Sequence, residues 1–228
     1  MALYAIGDLH LSFSVDKPMD IFGGRWHGYV EKLKGGFSAL TPEDVTVLCG
    51  DISWGMNLEE ALLDFQFIDQ LPGKKIILKG NHDYWWETVT KTKKFFEQNG
   101  ITSIEILHNN CYFYEDFAIC GTRGWFYEEE SGKEHDKKIL ARELGRLEMS
   151  LKQAGDKEKL CFLHYPPRYR DYLSKEIIGL LAAYQVKACY YGHLHGQSFQ
   201  YAVQGVQEEV DYKLVSADYL QFSPWKIV

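Results

Sequence analysis

The residues best equipped for chemistry stand where apolar runs end. Residues 3–6 run into Gly7-Asp8-Leu9-His10, and residues 45–49 into Gly50-Asp51. Residues 75–78 lead to Gly80-Asn81-His82-Asp83, residues 160–163 deliver His164, and residues 187–191 deliver Gly192-His193-Leu194-His195-Gly196. Carboxylates, imidazoles and an amide oxygen suit hard or borderline divalent cations and can hold Mn²⁺, Fe or Zn²⁺, whereas a thiolate-selecting site would use Cys. In an extended chain, residues i and i+2 point the same way, so Asp8/His10 and His193/His195 can each serve one cluster from a short segment.

Each piece has an ordinary reading. A lone Gly-Asp after a strand is usually a turn, a lone His is more often a hydrogen-bonded structural residue, and Asn-His-Asp can cap a helix. Five unrelated strand ends acquiring metal-type residues by chance is another matter. Open α/β sheets bind their ligands outside the carboxyl ends of strands, so the five segments can meet at one edge.

The elements that must position them follow from periodicity. Strand-like runs cover residues 3–6, 45–49, 75–78, 101–107, 111–114, 117–120, 160–163, 187–191, 199–203 and 212–215. Helical spacing covers 26–37, 58–69, 84–98, 136–154 and 173–184, with Asn57 as a candidate cap of the second and Gly100 placed to end the third. Residues 101–120 and the tail from Phe199 look like hairpins, and the charged stretch 128–138 like a solvated loop. Strands alternating with helices, then hairpins, indicate an α/β protein with a mixed sheet, or two packed sheets flanked by helices, in a single domain over residues 1–228.

Composition narrows the function. A net charge of -7 disfavours a nucleic-acid partner, which normally meets a basic face. Five scattered cysteines with no close pairs read as reduced core residues rather than disulfides or a zinc site. The N-terminus carries no basic segment followed by a long apolar run, and nothing approaches the roughly 20 apolar residues of a membrane span, so a cytoplasmic protein without membrane contact is expected. The oligomeric state stays open.

The ordered set Asp-x-His, Gly-Asp, Gly-Asn-His-Asp, an isolated His and Gly-His-x-His resembles the calcineurin-like metallophosphoesterase superfamily, over most of the chain from Asp8 to His195. The resemblance implies two mixed β-sheets packed as a sandwich and flanked by helices, around two divalent metal ions. It implies that Asp8, His10 and His195 hold one ion, that Asn81, His164 and His193 hold the other, and that Asp51 bridges them. His82 would act as general acid, oriented by Asp83. The implied reaction is phosphoester hydrolysis, in which paired cations clamp the phosphoryl oxygens and lower the pKa of an attacking water toward 7.

Departures within the superfamily shape the substrate expectation. Gly50-Asp51-Ile52-Ser53-Trp54-Gly55 lacks the Asp-Arg of the protein Ser/Thr phosphatases. The opening Gly7–Ser12 is similar to the bacterial lipid A pathway hydrolases, but those carry Arg where this chain has His82. A small phosphodiester or nucleotide-like substrate is expected. A phosphomonoesterase, a nuclease or a catalytically silent scaffold are the alternatives. Arg123 could pair with phosphate, and Trp85 or Trp125 could stack on a ring of the substrate.

Overall fold

A computed structural model describes residues 1–126 and 133–228. The chain opens with β1 (Leu3–Ile6), α1 (Tyr29–Phe37), β2 (Val45–Leu48), α2 (Leu62–Gln70), β3 (Lys74–Ile77), α3 (Val89–Gln98) and β4 (Ile104–Ile106). It continues with β5 (Tyr112–Tyr114), β6 (Phe117–Thr122), α4 (Lys133–Gln153), β7 (Glu158–Leu163), β8 (Arg168–Tyr169) and β9 (Tyr172–Leu173). It ends with α5 (Lys175–Ala183), β10 (Val186–Tyr191), β11 (Gly205–Gln207), β12 (Val210–Leu214) and β13 (Trp225–Lys226).

Two large sheets result. The first has the order β13-β1-β2-β3-β4 and the second β11-β12-β10-β7-β6-β5; β8 and β9 pair apart from both. In each large sheet four neighbouring strands run parallel, with antiparallel strands only at the edges. Where these parallel strands are covered on both faces they are mostly apolar, and successive residues serve different cores. Leu3, Ala5, Val47, Ile76 and Leu78 meet Leu160, Phe162, Ala188 and Tyr190 between the sheets. Ile6, Leu48 and Ile77 face away, toward Leu33 and Phe37 of α1 and Phe65 of α2. Cys161, Leu163, Cys189 and Tyr191 face the opposite way, toward Leu140 and Leu147 of α4 and Leu181 of α5. The layers are therefore helix, sheet, sheet, helix, as the resemblance implied.

Local signals set several boundaries. Thr88 caps α3 by accepting from Lys91 N at 3.3 Å. At the other end Gly100 has φ +70°, and Ile101 N donates to Phe96 O, which closes the helix in a Schellman turn. Asn57 Oδ1 accepts from Glu60 N at 2.9 Å, but it caps the turn leading into α2 rather than α2 itself.

Other expectations are corrected. Residues 101–120 are not one hairpin: β4 extends the first sheet beside β3, and only β5 and β6 form a hairpin, in the second. Residues 199–203 are not a strand. Gly196–Tyr201 is a 3-10 helix in which Phe199 packs against Tyr219, and the antiparallel partner of β12 is β11. The first helix starts at Tyr29, because Gly28 at φ +63° breaks the periodic run and leaves Trp26 in a separate turn. In the charged stretch, residues from Lys133 on belong to α4, while 128–132 lie outside the described residues. All five cysteines are free thiols; four are buried and Cys111 is half-buried.

Among the described residues no helix is long and apolar enough to cross a membrane.

Candidate metal centre

Parallel strands present their carboxyl ends on one side, and β1, β2 and β3 are neighbours in the first sheet as β7 and β10 are in the second. The loops that leave them carry the expected residues into one buried cluster. Asp8, Asp51 and His164 are essentially inaccessible, and His10 is 3% exposed. The turns are severe. Asp8, His10, Asp51 and His193 all have positive φ, between 48° and 72°, which costs a non-glycine residue about a kilocalorie per mole or more and persists only where surroundings enforce it. Glycines let the loops nest. A side chain at Gly80 would collide with the Asp51 carboxylate, and one at Gly192 with that of Asp8.

The donor atoms face one another. His195 Nε2 lies 3.4 Å from His10 Nε2 and 3.6 Å from Asp8 Oδ1. Asp51 Oδ2 lies 3.7 Å from His10 Nε2 and 3.6 Å from His164 Nε2. Asn81 Oδ1 lies 2.6 Å from His164 Nε2 and 2.9 Å from His193 Nδ1. His164 Nδ1 donates to the Cys49 carbonyl at 3.0 Å, which leaves the Nε2 lone pair for the cluster. Two sets of ligand atoms, from Asp8, His10 and His195 and from Asp8, Asp51 and His164, each fall within 4.8 Å of one another.

Electrostatics favour a cation here. Burial holds His164 down at about 4 and His193 at about 3, so both imidazoles are neutral at physiological pH. Burial, then the charges of Asp83 and Asp8, push the Asp51 carboxyl well above its usual range. The neutral imidazoles of His164 and His193 beside the crowded carboxylates of Asp8 and Asp51 fit a divalent metal ion.

His82 sits at the rim. Its backbone N–H donates to Asp51 Oδ1 at 2.8 Å, and its ring lies 5.7 Å from that of His10 and 4.4 Å from that of Trp54. Asp83 does not orient that ring. Its carboxylate is fully buried and accepts from the backbone N–H groups of Asp51, Ile52, Ser53 and Gly80 and from the Trp85 indole. With five donors around two oxygens, Asp83 binds the Asp51 loop to the Asn81 loop and has nothing left for His82.

The substrate-facing candidates are redistributed. Trp85 is 1% exposed, wedged against Phe65 and Trp86, so it is core. Trp125 donates to Asp136 Oδ1 at 3.2 Å and packs edge-on against Tyr165. Arg123 lies over the Trp125 ring and 3.5 Å from the buried carboxylate of Glu143, turned toward α4. The aromatics beside the cluster are instead Trp26, edge-on to His10 at 5.8 Å, and Trp54, stacked on His10 at 5.0 Å. With Phe22 and Phe199 they line a cavity of about 670 Å³ whose floor includes His10, His82 and His195.

Asp218, in the turn after β12, was missed in the sequence. Its buried carboxylate lies 2.8 Å from His195 Nδ1. Only its position just beyond a strand end, at Val215-Ser216-Ala217-Asp218, marks it in the chain.

The helix–sheet–sheet–helix sandwich with Asp and His side chains clustered at its strand ends defines a class of metal-binding hydrolases. The profile of the calcineurin-like phosphoesterases matches residues 1–197, and the chain belongs to that family. Among curated proteins none matches the sequence. Among solved structures, AQ665 of Aquifex aeolicus, described as of unknown function, aligns with a TM-score of 0.51 at 15% identity, covering 99% of this chain and 95% of that one. TT1561 of Thermus thermophilus aligns with a TM-score of 0.55 at 14% identity, covering 85% of this chain and 81% of that one. These likenesses concern the fold alone. Family and donor cluster together support a metal-dependent phosphoesterase.

Proposed function

We propose that this protein hydrolyses a small phosphodiester or nucleotide-like substrate at a centre of two divalent cations, with manganese the first candidate. The carrying observation is the convergence of Asp8, His10, Asp51, Asn81, His164, His193 and His195, donors from five chain segments, on one buried cluster. Asp8, His10 and His195 would hold one ion, and Asn81, His164 and His193 the other. Asp51, whose Oδ2 faces both His10 and His164, would serve both.

Bound, the ions supply Lewis acidity toward phosphoryl oxygens and a water of lowered pKa. The chain's own residues do the rest. His82, at the rim of the cavity, would give its proton to the departing oxygen. Its imidazole is held somewhat below its usual pKa by burial, which makes it a readier donor than an unperturbed one once protonated. Asp83 keeps the Asp51 and Asn81 loops at their spacing. Trp26, Trp54, Phe22 and Phe199 would receive the leaving group, and 670 Å³ is within the usual range for small-molecule sites.

The test is hydrolysis of para-nitrophenyl phosphate against bis-para-nitrophenyl phosphate, with added Mn²⁺ and with chelator. Metal-dependent turnover favouring the diester is expected. No turnover of either ester with any of Mn²⁺, Fe²⁺ or Zn²⁺ would leave a silent scaffold.

A further inference from the structure

A second cluster of charged side chains lies where β3, β4 and β6 end against α4, and it shares no lining residue with the cavity at the metal centre. Lys79, His108, Arg123 and Arg146 surround a hollow of about 70 Å³, with Glu143 as its carboxylate and Trp86 and Leu107 as its apolar wall. Glu143 is 1% exposed and fully engaged. It takes the Thr122 hydroxyl at 2.5 Å, Arg146 Nη1 at 2.6 Å and Arg123 Nη2 at 3.5 Å.

The charges do not balance. Three cationic side chains line the hollow with one carboxylate, so the lining itself carries an excess of two positive charges in a protein whose overall charge is -7. Asp83 is close enough to act on Lys79, but its oxygens are committed to backbone N–H groups and the Trp85 indole. Donors are also left over. Arg123 Nε is buried without a partner, and among the described residues no acceptor pairs with Lys79 Nζ. Clustering like charges with unspent donors is costly unless an anion joins them.

We infer that this hollow is a binding site for a tetrahedral oxyanion of the phosphate class, held by Lys79, Arg123 and Arg146 and separate from the metal centre. Size agrees with charge. About 10–15 Å³ admits one water, so 70 Å³ admits roughly five non-hydrogen atoms, the number in phosphate or sulfate. Guanidinium groups present planar forks that match such an anion, and the Lys79 ammonium adds a point charge. A neutral His108 can donate one more N–H from the rim. The site touches the segments that carry the metal-type residues: Lys79 stands two residues before Asn81, and the Arg123 carbonyl accepts from His164 N at 3.1 Å and from Tyr165 N at 2.9 Å. The anion is either free or the phosphoryl end of an organic ester.

Calorimetric titration of the full chain with sulfate tests this, since sulfate has the charge and shape of the ligand and cannot be hydrolysed. The wild type should bind one sulfate saturably. Arg146→Gln and Arg123→Gln should each weaken that binding about tenfold or more, Arg146→Lys should weaken it less, and Arg25→Gln, at a residue that lines the cavity beside the metal centre and not this hollow, should leave it unchanged. Phenyl phosphate added as competitor separates the sources: displacement of sulfate from this site identifies an ester's phosphoryl end, and failure to displace it identifies the free anion. Circular dichroism of each variant checks that it is folded. No saturable binding by the wild type, or equal binding by folded Arg146→Gln and Arg123→Gln, overturns the site. Neither result bears on hydrolysis at the metal centre.

Discussion

His195 Nδ1 lies 2.8 Å from Asp218 Oδ1, a contact that ties the Gly-His-Leu-His loop after β10 to the turn after β12. The pairing decides which face of the imidazole is free, because Nδ1 is spent on Asp218 and Nε2 is left toward Asp8 and His10. A carboxylate behind a ligating histidine fixes its ring and raises its basicity. Burial works against charge on His195, but hydrogen bonds to Asp218 and Asp8 outweigh it and hold the imidazolium up to about 10.

A metal ion held by His195, as proposed, would have to displace that proton. Apparent metal affinity should rise with pH between about 6.5 and 8.5, measured by competition with a chelator. Asp218→Asn should weaken metal binding by about 10–100-fold and flatten that pH dependence, with the fold intact by circular dichroism. In the metal-free wild type the sign is opposite for stability. The folded pKa lies above the unfolded value near 6.5, so the His195 contribution is complete below that pH and is lost as pH rises toward 10. Unchanged metal affinity in Asp218→Asn would reduce Asp218 to a structural turn residue.

Asp51→Asn should lose more metal than removal of any one other ligand. Its carboxylate faces His10 and His164 together, and it is the anion most crowded by other carboxylates when no cation is present. Elemental analysis of Asp51→Asn beside His193→Ala checks this. Two full equivalents retained in Asp51→Asn would contradict the shared position.

His82→Ala should keep the metal and lower turnover by roughly 10²–10⁴-fold, the usual range for a general acid. A good leaving group such as para-nitrophenolate needs little protonation and should suffer less than an alkyl ester. Metal loss in this variant would move His82 into the coordination sphere.

Asp83→Ala should fail differently. Four backbone N–H groups and the Trp85 indole would lose their acceptor inside the protein, at about 1–3 kcal/mol for each donor left dry. A loss of several kcal/mol in urea unfolding is expected, together with lost activity, because the Asp51 and Asn81 loops separate. A variant as stable as wild type but slow would return Asp83 to the role of orienting His82.

The metal-type residues were legible in the chain because their signal is local. An apolar run followed by glycine and a ligand-type side chain is a strand entering a sharp turn, and parallel pairing then has no choice but to gather those ends on one side. The strand β1 was readable to the residue, and the sandwich followed from runs apolar on both faces. Side-chain direction was not legible. Trp85 and Trp54 both follow a Gly-Asx loop at similar spacing, yet one is wedged beneath α2 and the other stacks on His10. Asp83 follows His82 directly and faces away from it, because backbone donors on a loop about 30 residues earlier claim its oxygens. Arg123 turns to Glu143 and Asp218 reaches His195 for the same reason. A short sequence motif encodes which atoms can bind, but the partner that outbids the others for each atom comes from a distant segment, and only packing the two sheets together brings it within reach.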